Sequence, residues 1–146
     1  MGSQEELEAR MRLLEDIEAI KRLKAQYWRS QDQKRPDELA ECFCKDALMD
    51  FDTEGVFRGV ETIISSYKDS LLQKHLLTTH HGHSPEINIT SDTTATGKWA
   101  LRFERINTLK NTVTQAAGFY EDEYAKEDGH WRIRVSRFST LFTRRL

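Results

Sequence analysis

The sequence predicts an α+β domain in which a curved antiparallel sheet wraps around a long N-terminal helix. Apolar residues recur at three- and four-residue steps through the first third of the chain, which is the period of a helix with one apolar face. From residue 77 onward, long stretches rich in Thr, aromatic and β-branched residues alternate with short turns. Helices followed by consecutive long strands favour an antiparallel sheet that is covered by helices.

The first helix carries its apolar stripe along most of its length. The stripe consists of Leu7, Met11, Leu14, Ile17, Ile20, Leu23, Tyr27 and Trp28. Arg35 precedes a proline and is biased away from helical geometry, so the helix is expected to end near residues 32–34. Pro36 suits the first position of a short second helix, which is predicted over residues 36–43.

The remaining elements follow in chain order. Residues 47–59 predict two short strands around a turn at Gly55, and residues 60–73 return to helical spacing. Four long strands are then predicted from "LLTTHHGHSPEINI", "TATGKWALRFERINTL", "TVTQAAGFYEDEYAKE" and "HWRIRVSRFSTLF". A sheet that bends around a long helix forms a cone, and its concave side is a natural pocket lined by the helix and by alternate strand residues.

Size, charge and cysteine content limit the classes of function. The 146 residues fit one domain, residues 1–146, and a net charge of -2 disfavours long-range capture of nucleic acid or of anionic membranes. The N-terminal segment is acidic and polar, and no stretch approaches the ~18 apolar residues of a membrane span, which predicts a cytoplasmic protein. Cys42 and Cys44 are too few for a structural zinc site and too close for an ordinary disulfide, so both are predicted to be reduced residues of a helix.

Three of the five histidines lie in the stretch "TTHHGHSPEI", residues 78–87. Because neighbouring side chains on a strand point to opposite faces, His80 shares a face with Thr78, while His81 and His83 share the other face. The spacing of His81 and His83 can bind a metal ion, but no third ligand accompanies them. We therefore predict no metal site and expect His81 and His83 at the surface.

Asp32 and Tyr27 lie five positions apart at the end of the first helix, about 140° around its axis. A carboxylate beneath an apolar cone is costly unless it is paired, and a histidine on an adjacent strand is a suitable partner. Asp32 would orient the imidazole of His80, fix its tautomer and make it a competent general base. Tyr27 would donate a hydrogen bond to a substrate oxygen. A solvated Asp32 in the last helical turn is the alternative, and spacing alone does not decide between the two.

Three segments of the chain resemble the SnoaL-like branch of the NTF2-like superfamily, namely "DIEAIKRLKAQYWRSQDQKRPDELAECF", "GHSPEINITSDTTATGKWAL" and "GFYEDEYAKEDGHWRI". Within it the chain looks most similar to the bile acid 7α-dehydratases, and more distantly to scytalone dehydratase and lindane dehydrochlorinase. The resemblance implies the cone fold, no metal or organic cofactor, and eliminations that use a His–Asp pair. The family's helix-end aspartate falls on Asp32, its strand histidine on His80, and the pocket tyrosine of the bile acid enzymes on Tyr27.

One position departs from the bile acid enzymes, which carry a further pocket aspartate where this chain has Phe103, with Glu104 beside it on the opposite strand face. A phenylalanine predicts a drier pocket that suits a hydrophobic ring system. We assign substrate binding to Phe103, Trp28, Tyr120 and Arg137. Tyr120 is expected in the core or the pocket wall, and for Arg137 a position on the sheet surface is the alternative to contact with a ligand anion.

The sequence thus predicts a cofactor-independent lyase of the dehydratase type, or an isomerase, that acts on a hydrophobic cyclic substrate such as a steroid, a polyketide or a hydroxylated aromatic. In this prediction His80 removes a proton from carbon next to a carbonyl, Asp32 holds His80, and Tyr27 hydrogen-bonds the oxyanion or the departing hydroxyl. The alternative is a non-catalytic module of the same fold that binds a small molecule or serves in assembly. A homodimer or homotrimer is expected, because an open sheet of long strands leaves an apolar outer surface.

Overall fold

The computed structural model describes residues 2–146, which form helices packed into one curved sheet. The helices are α1 (Ser3–Asp32), α2 (Pro36–Ala40), α3 (Val60–Ser66) and α4 (Lys68–Leu72). The strands are β1 (Phe43–Phe51), β2 (Gly55–Arg58), β3 (Leu76–Ile89), β4 (Thr94–Asn107), β5 (Thr112–Glu127) and β6 (His130–Arg145). No helix within residues 2–146 is long and apolar enough to cross a membrane.

The six strands lie in the order β2-β1-β6-β5-β4-β3, and α1 packs across the concave side. The predicted α+β cone is therefore confirmed. One detail of the sheet differs from the prediction, because β1 runs parallel to β6 while every other neighbouring pair is antiparallel. Hairpin turns impose the antiparallel pairs, whereas β1 and β6 are far apart in sequence and their relative direction is set by packing.

Two glycines allow the sheet to close tightly. A Cβ added to Gly82 on β3 would overlap the indole ring of Trp28, and one added to Gly118 on β5 would overlap the ring of Phe138. β5 also has register shifts beside Gly118 and at Tyr124, and such bulges bend a strand and increase its twist. The curvature of the cone thus depends on a few positions where the backbone approaches a large ring.

Only the C-terminal half of α1 enters the core. Ile20, Leu23 and Tyr27 are buried, but Leu7, Met11 and Leu14 are 56%, 51% and 66% exposed. The prediction that one stripe packs along the whole helix is wrong for these three residues. A helix of 30 residues is about 45 Å long, and its first turns extend past the sheet.

The segment after α1 also differs from the prediction. α2 ends at Ala40, and Cys44 lies in β1, so the assignment of Cys42 and Cys44 to a helix is wrong. The parallel pairing of Phe43 with Ile133 draws this segment into the sheet. Both thiols are free and buried, and burial raises the pKa of each to about 12, so they stay protonated near neutral pH.

Candidate active site

A cavity of about 420 Å³ lies between the C-terminal half of α1, the concave face of the sheet and the α3–α4 segment. Most of its wall is apolar, and the main apolar contributors are Phe51, Leu71, Leu101, Phe103, Ala116 and Phe138. His80 and Tyr27 are among the polar lining residues. The volume lies within the range of small-molecule sites in proteins.

His80 lines this cavity, and Asp32, which is not itself a lining residue, contacts its imidazole. His80 Nδ1 lies 2.6 Å from Asp32 Oδ1, and the backbone N–H of His80 donates to Asp32 Oδ2 at 2.9 Å. Thr78 Oγ1 donates a third hydrogen bond to Asp32 Oδ1 at 3.0 Å. Because a carboxylate accepts hydrogen bonds, this pairing places the imidazole proton on Nδ1 and leaves the lone pair on Nε2.

Local structure explains why these groups converge. Asp32 is the last residue of α1, and Thr78 and His80 lie two positions apart on β3, so their side chains share the face that meets the helix end. His80 is paired directly with Phe103 on β4, and the two rings lie 4.7 Å apart. The side chain of His80 is 9% exposed and that of Asp32 is 24% exposed. The structure therefore places the imidazole between a carboxylate and an apolar ring.

Three tyrosine hydroxyls occupy the inner part of the cavity. The hydroxyls of Tyr27 and Tyr67 lie 2.8 Å apart, and the hydroxyl of Tyr120 accepts a hydrogen bond from Trp28 Nε1 at 3.3 Å. Burial raises the pKa of Tyr27, Tyr67 and Tyr120 above the ordinary phenol value. All three therefore stay protonated near neutral pH, which suits them to donate hydrogen bonds rather than to act as bases.

A buried ion pair supports these tyrosines from behind. Lys24 Nζ lies 2.9 Å from Asp122 Oδ2, and both side chains are 0% exposed. The ammonium makes no well-aligned hydrogen bond and instead faces aromatic rings, at 3.8 Å from the ring centroid of Tyr120 and 4.5 Å from that of Tyr27. Burial lowers the pKa of Lys24, while the charge of Asp122 opposes this shift.

Two predicted substrate-binding residues do not line the cavity. Trp28 is buried and is not a lining residue, although its Nε1 donates to the hydroxyl of Tyr120, which is one. Arg137 lies on the opposite face of β6, where its Nη1 is 3.2 Å from Glu123 Oε2. Its side chain therefore does not line the cavity. The reason is strand alternation, since the next residue, Phe138, points into the cavity.

Four of the predicted site residues line the cavity. Phe103 and Tyr120 line the cavity together with Tyr27 and His80. His81 and His83 are exposed on the outer face, as expected. Within residues 2–146, no group of three His, Cys, Asp or Glu side chains is placed to hold a metal ion.

Three lining or supporting residues were missed from the sequence. Tyr67 was predicted only as an apolar helix position, yet its hydroxyl faces the cavity. Arg105 lines the cavity two residues after Phe103, so strand alternation from Phe103 could have identified it. Lys24 stands within the buried stripe of α1, between Ile20 and Tyr27, and a lysine at such a position is a detectable signal.

These features define a small α+β cone with an apolar cavity, a lining histidine that is paired with an aspartate, and neutral tyrosines at the inner end of the cavity. The chain belongs to the SnoaL-like domain family, which it matches over residues 12–137. The family is a branch of the NTF2-like superfamily, and the resemblance noted in the sequence is confirmed at this level.

Solved structures of several proteins share the fold at low sequence identity. A scytalone dehydratase-like protein from Novosphingobium aromaticivorans is 22% identical, with a TM-score of 0.85 over 91% of this chain and 89% of that chain. Hexachlorocyclohexane dehydrochlorinase LinA type 2 is 20% identical, with a TM-score of 0.84 over 93% and 92% of the two chains. The type 3 enzyme from Novosphingobium barchaimii is 18% identical, with a TM-score of 0.82 over 93% of each chain. At these identities the likeness establishes the fold.

Proposed function

We propose that this protein is a cofactor-independent lyase of the dehydratase type, or an isomerase, that acts on a hydrophobic cyclic substrate. The observation that carries the proposal is the 2.6 Å contact between His80 Nδ1 and Asp32 Oδ1 in the wall of an apolar cavity. The fold is also that of a dehydrochlorinase and of a scytalone dehydratase-like protein, whose names describe elimination reactions.

In the proposed reaction His80 Nε2 removes a proton from the carbon next to a substrate carbonyl. The electron pair of the broken C–H bond moves toward the carbonyl oxygen, and Asp32 stabilises the imidazolium that forms. When the C–O bond at the next carbon breaks, the electrons form a C=C bond, and the departing hydroxide takes a proton from the imidazolium to leave as water. Proton transfer by a positioned side chain contributes typically ~10²- to 10⁴-fold in rate.

Tyr27 is the proposed hydrogen-bond donor to the developing oxyanion or to the departing hydroxyl. Its raised pKa keeps the phenol proton in place. The hydroxyl of Tyr67 lies 2.8 Å away, and the single O–H of Tyr27 is free for a ligand when Tyr67 is the donor in this pair. Donors that are already oriented in a dry site stabilise a developing negative charge strongly. Tyr120 is proposed as a second wall residue whose own oxygen is already engaged by Trp28.

The cavity supports a ring system as substrate rather than a sugar. Phe51, Phe103 and Phe138 form much of its wall, and about 420 Å³ is enough for a compound of a few fused rings. Steroids, polyketides and hydroxylated aromatics all fit this description. Among the steroids, bile acids are the least supported, because Phe103 occupies the position at which the bile acid enzymes carry an additional aspartate.

The test uses proton abstraction as its readout, because the leaving group is not identified. Cyclic β-hydroxy ketones of one to four rings are incubated with the protein in D₂O, and both deuterium uptake at the α-carbon and enone absorbance are followed. His80→Gln and Asp32→Asn should each reduce exchange by about 10²-fold or more. His81→Gln, one residue away on the outer face, is the matched control and should have no effect. Wild-type rates in both His80→Gln and Asp32→Asn would refute the dyad.

A binding module is the second candidate, and Phe103 in place of an acid is the observation that favours it. In that case ring ketones raise the melting temperature of the protein without deuterium uptake or product formation. Exchange at the α-carbon that depends on His80 would exclude this candidate.

We also propose a cytoplasmic homodimer or homotrimer, assembled through the convex face of the sheet. Phe119 and Phe142 are 51% and 40% exposed there, and Ala100 and Ala117 are their neighbours in register. Burial of such a patch between copies stabilises an oligomer. Light scattering of the wild type and of Phe119→Glu tests this proposal, and a monomeric wild type at micromolar concentration would contradict it.

A further inference from the structure

Arg105 is the cation that lines the mouth of the cavity. Leu101, Phe103 and Arg105 lie at alternate positions of β4 and line the same cavity, and they change from buried through half-buried to exposed along the strand. The cavity therefore opens toward the end of β4 that bears Arg105. In register, Arg105 is paired with Thr78 on β3 and with Thr114 on β5, so hydroxyl-bearing side chains flank it on both sides.

The guanidinium of Arg105 has no anionic partner in the part of the chain that the structure describes. Its Nη2 donates one hydrogen bond, to Ser70 Oγ at 3.1 Å, and it forms no ion pair with any carboxylate of residues 2–146. Glu54, the acidic residue that lines the cavity, lies in the turn before β2 and is not among the contacts of Arg105. Four of the five N–H donors of an arginine are thus left for solvent or for a ligand.

A second cation lies on the other side of Ser70. Lys34 Nζ donates to the backbone carbonyl of Ser70, and also to those of Gln73 at 3.0 Å and Leu76 at 2.6 Å. Its donors are used by these carbonyls, so Lys34 fixes the α4–β3 segment and adds positive potential without competing for a ligand. Arg105 is therefore positioned by a serine whose own backbone is held in place.

We propose that Arg105 binds a carboxylate of the substrate, so that the site takes hydrophobic cyclic acids in preference to neutral ring compounds. This inference rests on the proposed function only in assuming that the cavity is the substrate site. His80 and Phe103 form one register pair, and Thr78 and Arg105 form the next pair on the same face. Two residues along a strand correspond to about 7 Å, so the carboxylate lies roughly one ring beyond the reacting carbon.

Arginine suits this role better than lysine because its planar fork can bind both oxygens of a carboxylate. The ring of Phe103 lies 5.9 Å from the guanidinium carbon, and it would contact the apolar rings of the same ligand. A ligand that combines rings with a carboxylate would therefore satisfy both neighbours at once. A neutral ligand would leave Arg105 at the cavity mouth without an anion.

Binding of two matched probes tests the inference without any turnover. 2-Naphthoate and 2-naphthamide have nearly the same shape and differ in charge, and their dissociation constants are measured by calorimetry or by fluorescence at pH 7.5 in low salt. The wild type should bind the naphthoate about tenfold more tightly than the amide, since the contact is a charge-assisted hydrogen bond near solvent. Arg105→Met should remove this preference, and Arg105→Lys should retain only part of it.

The matched control is Arg102→Met, which removes an exposed arginine of the same strand from the opposite face. It should keep the preference of the wild type, and unfolding curves should show that all variants are folded. Equal binding of the two probes by the wild type would overturn the inference and leave the proposed lyase intact. Failure of the wild type to bind either probe would also overturn the inference. The proposed function would fail as well only if His80→Gln kept the wild-type rate of deuterium exchange.

Discussion

Replacement of Lys24 by methionine removes an ammonium from a buried ion pair and leaves a side chain of similar length. Nζ lies 2.9 Å from Asp122 Oδ2, and neither side chain is exposed. At an effective dielectric constant of about 20, two unit charges at this distance attract by about 6 kcal/mol. Much of this attraction offsets the desolvation of the two charges, so the pair contributes far less to the free energy of folding.

The single substitution leaves the carboxylate of Asp122 without its cation. Asp122 keeps hydrogen bonds from Tyr124 at 2.8 Å and Ser136 at 2.7 Å, but its charge is then buried without compensation. Such a change costs about 3–5 kcal/mol of unfolding free energy. The double substitution Lys24→Met with Asp122→Asn removes both charges, and it should recover most of this loss, to within about 2 kcal/mol of the wild type.

Urea unfolding at pH 7 of the wild type, both single variants and the double variant forms a double-mutant cycle. Lys21→Met, an exposed lysine one turn earlier on α1, is the matched control and should change stability by less than about 0.5 kcal/mol. If Lys24→Met loses less than about 1 kcal/mol, or if the double variant is no more stable than either single variant, the reasoning about the buried pair is refuted.

Two further predictions concern the same region. Gly82→Ala should lower the unfolding free energy by about 3 kcal/mol, because the new Cβ overlaps the ring of Trp28, and unchanged urea curves would mean that this ring has room to move. Stability should fall as pH rises above 10.0, because burial raises the pKa of Tyr27 and the folded chain keeps a phenol proton that the unfolded chain loses. Tyr27→Phe should remove about 1 kcal/mol of the stability that the wild type loses between pH 10 and 11, because the unfolded phenol is only partly deprotonated in this range. Unfolding at several pH values measures this loss, and the same loss in Tyr27→Phe would show that Tyr27 does not cause it.

Local patterns in the sequence were sufficient to predict much of the cone. The end of α1 at Asp32 followed from Pro36, which excludes the preceding residue from helical geometry. The shared face of Thr78 and His80 followed from the two-residue period of a strand, and the structure places both beside Asp32. These predictions depend on residues close in sequence, whose geometry the backbone itself restricts.

Long-range pairing decided the features that the sequence did not predict. The direction of β1 depends on its partner β6, about 90 residues away, and it brings Cys44 into the sheet instead of a helix. The burial of Lys24 depends on Asp122 of β5, whose carboxylate pairs with the buried ammonium. Without this partner, a charged side chain within the apolar stripe of α1 would be too costly to bury.

The choice between two arginines illustrates the same limit. Strict alternation from Ile133 places Arg137 on the inner face of β6, but the pairing shifts between Tyr124–Ile133 and Glu123–Val135. One additional residue in a strand reverses the face of every side chain that follows, so Arg137 points outward. The sequence by itself predicted the long first helix, the strand periods and, through the family resemblance, the residues of the His–Asp pair. Only the tertiary structure decided which cation reaches the cavity, because a bulge is fixed by the pairing of two strands and not by either strand alone.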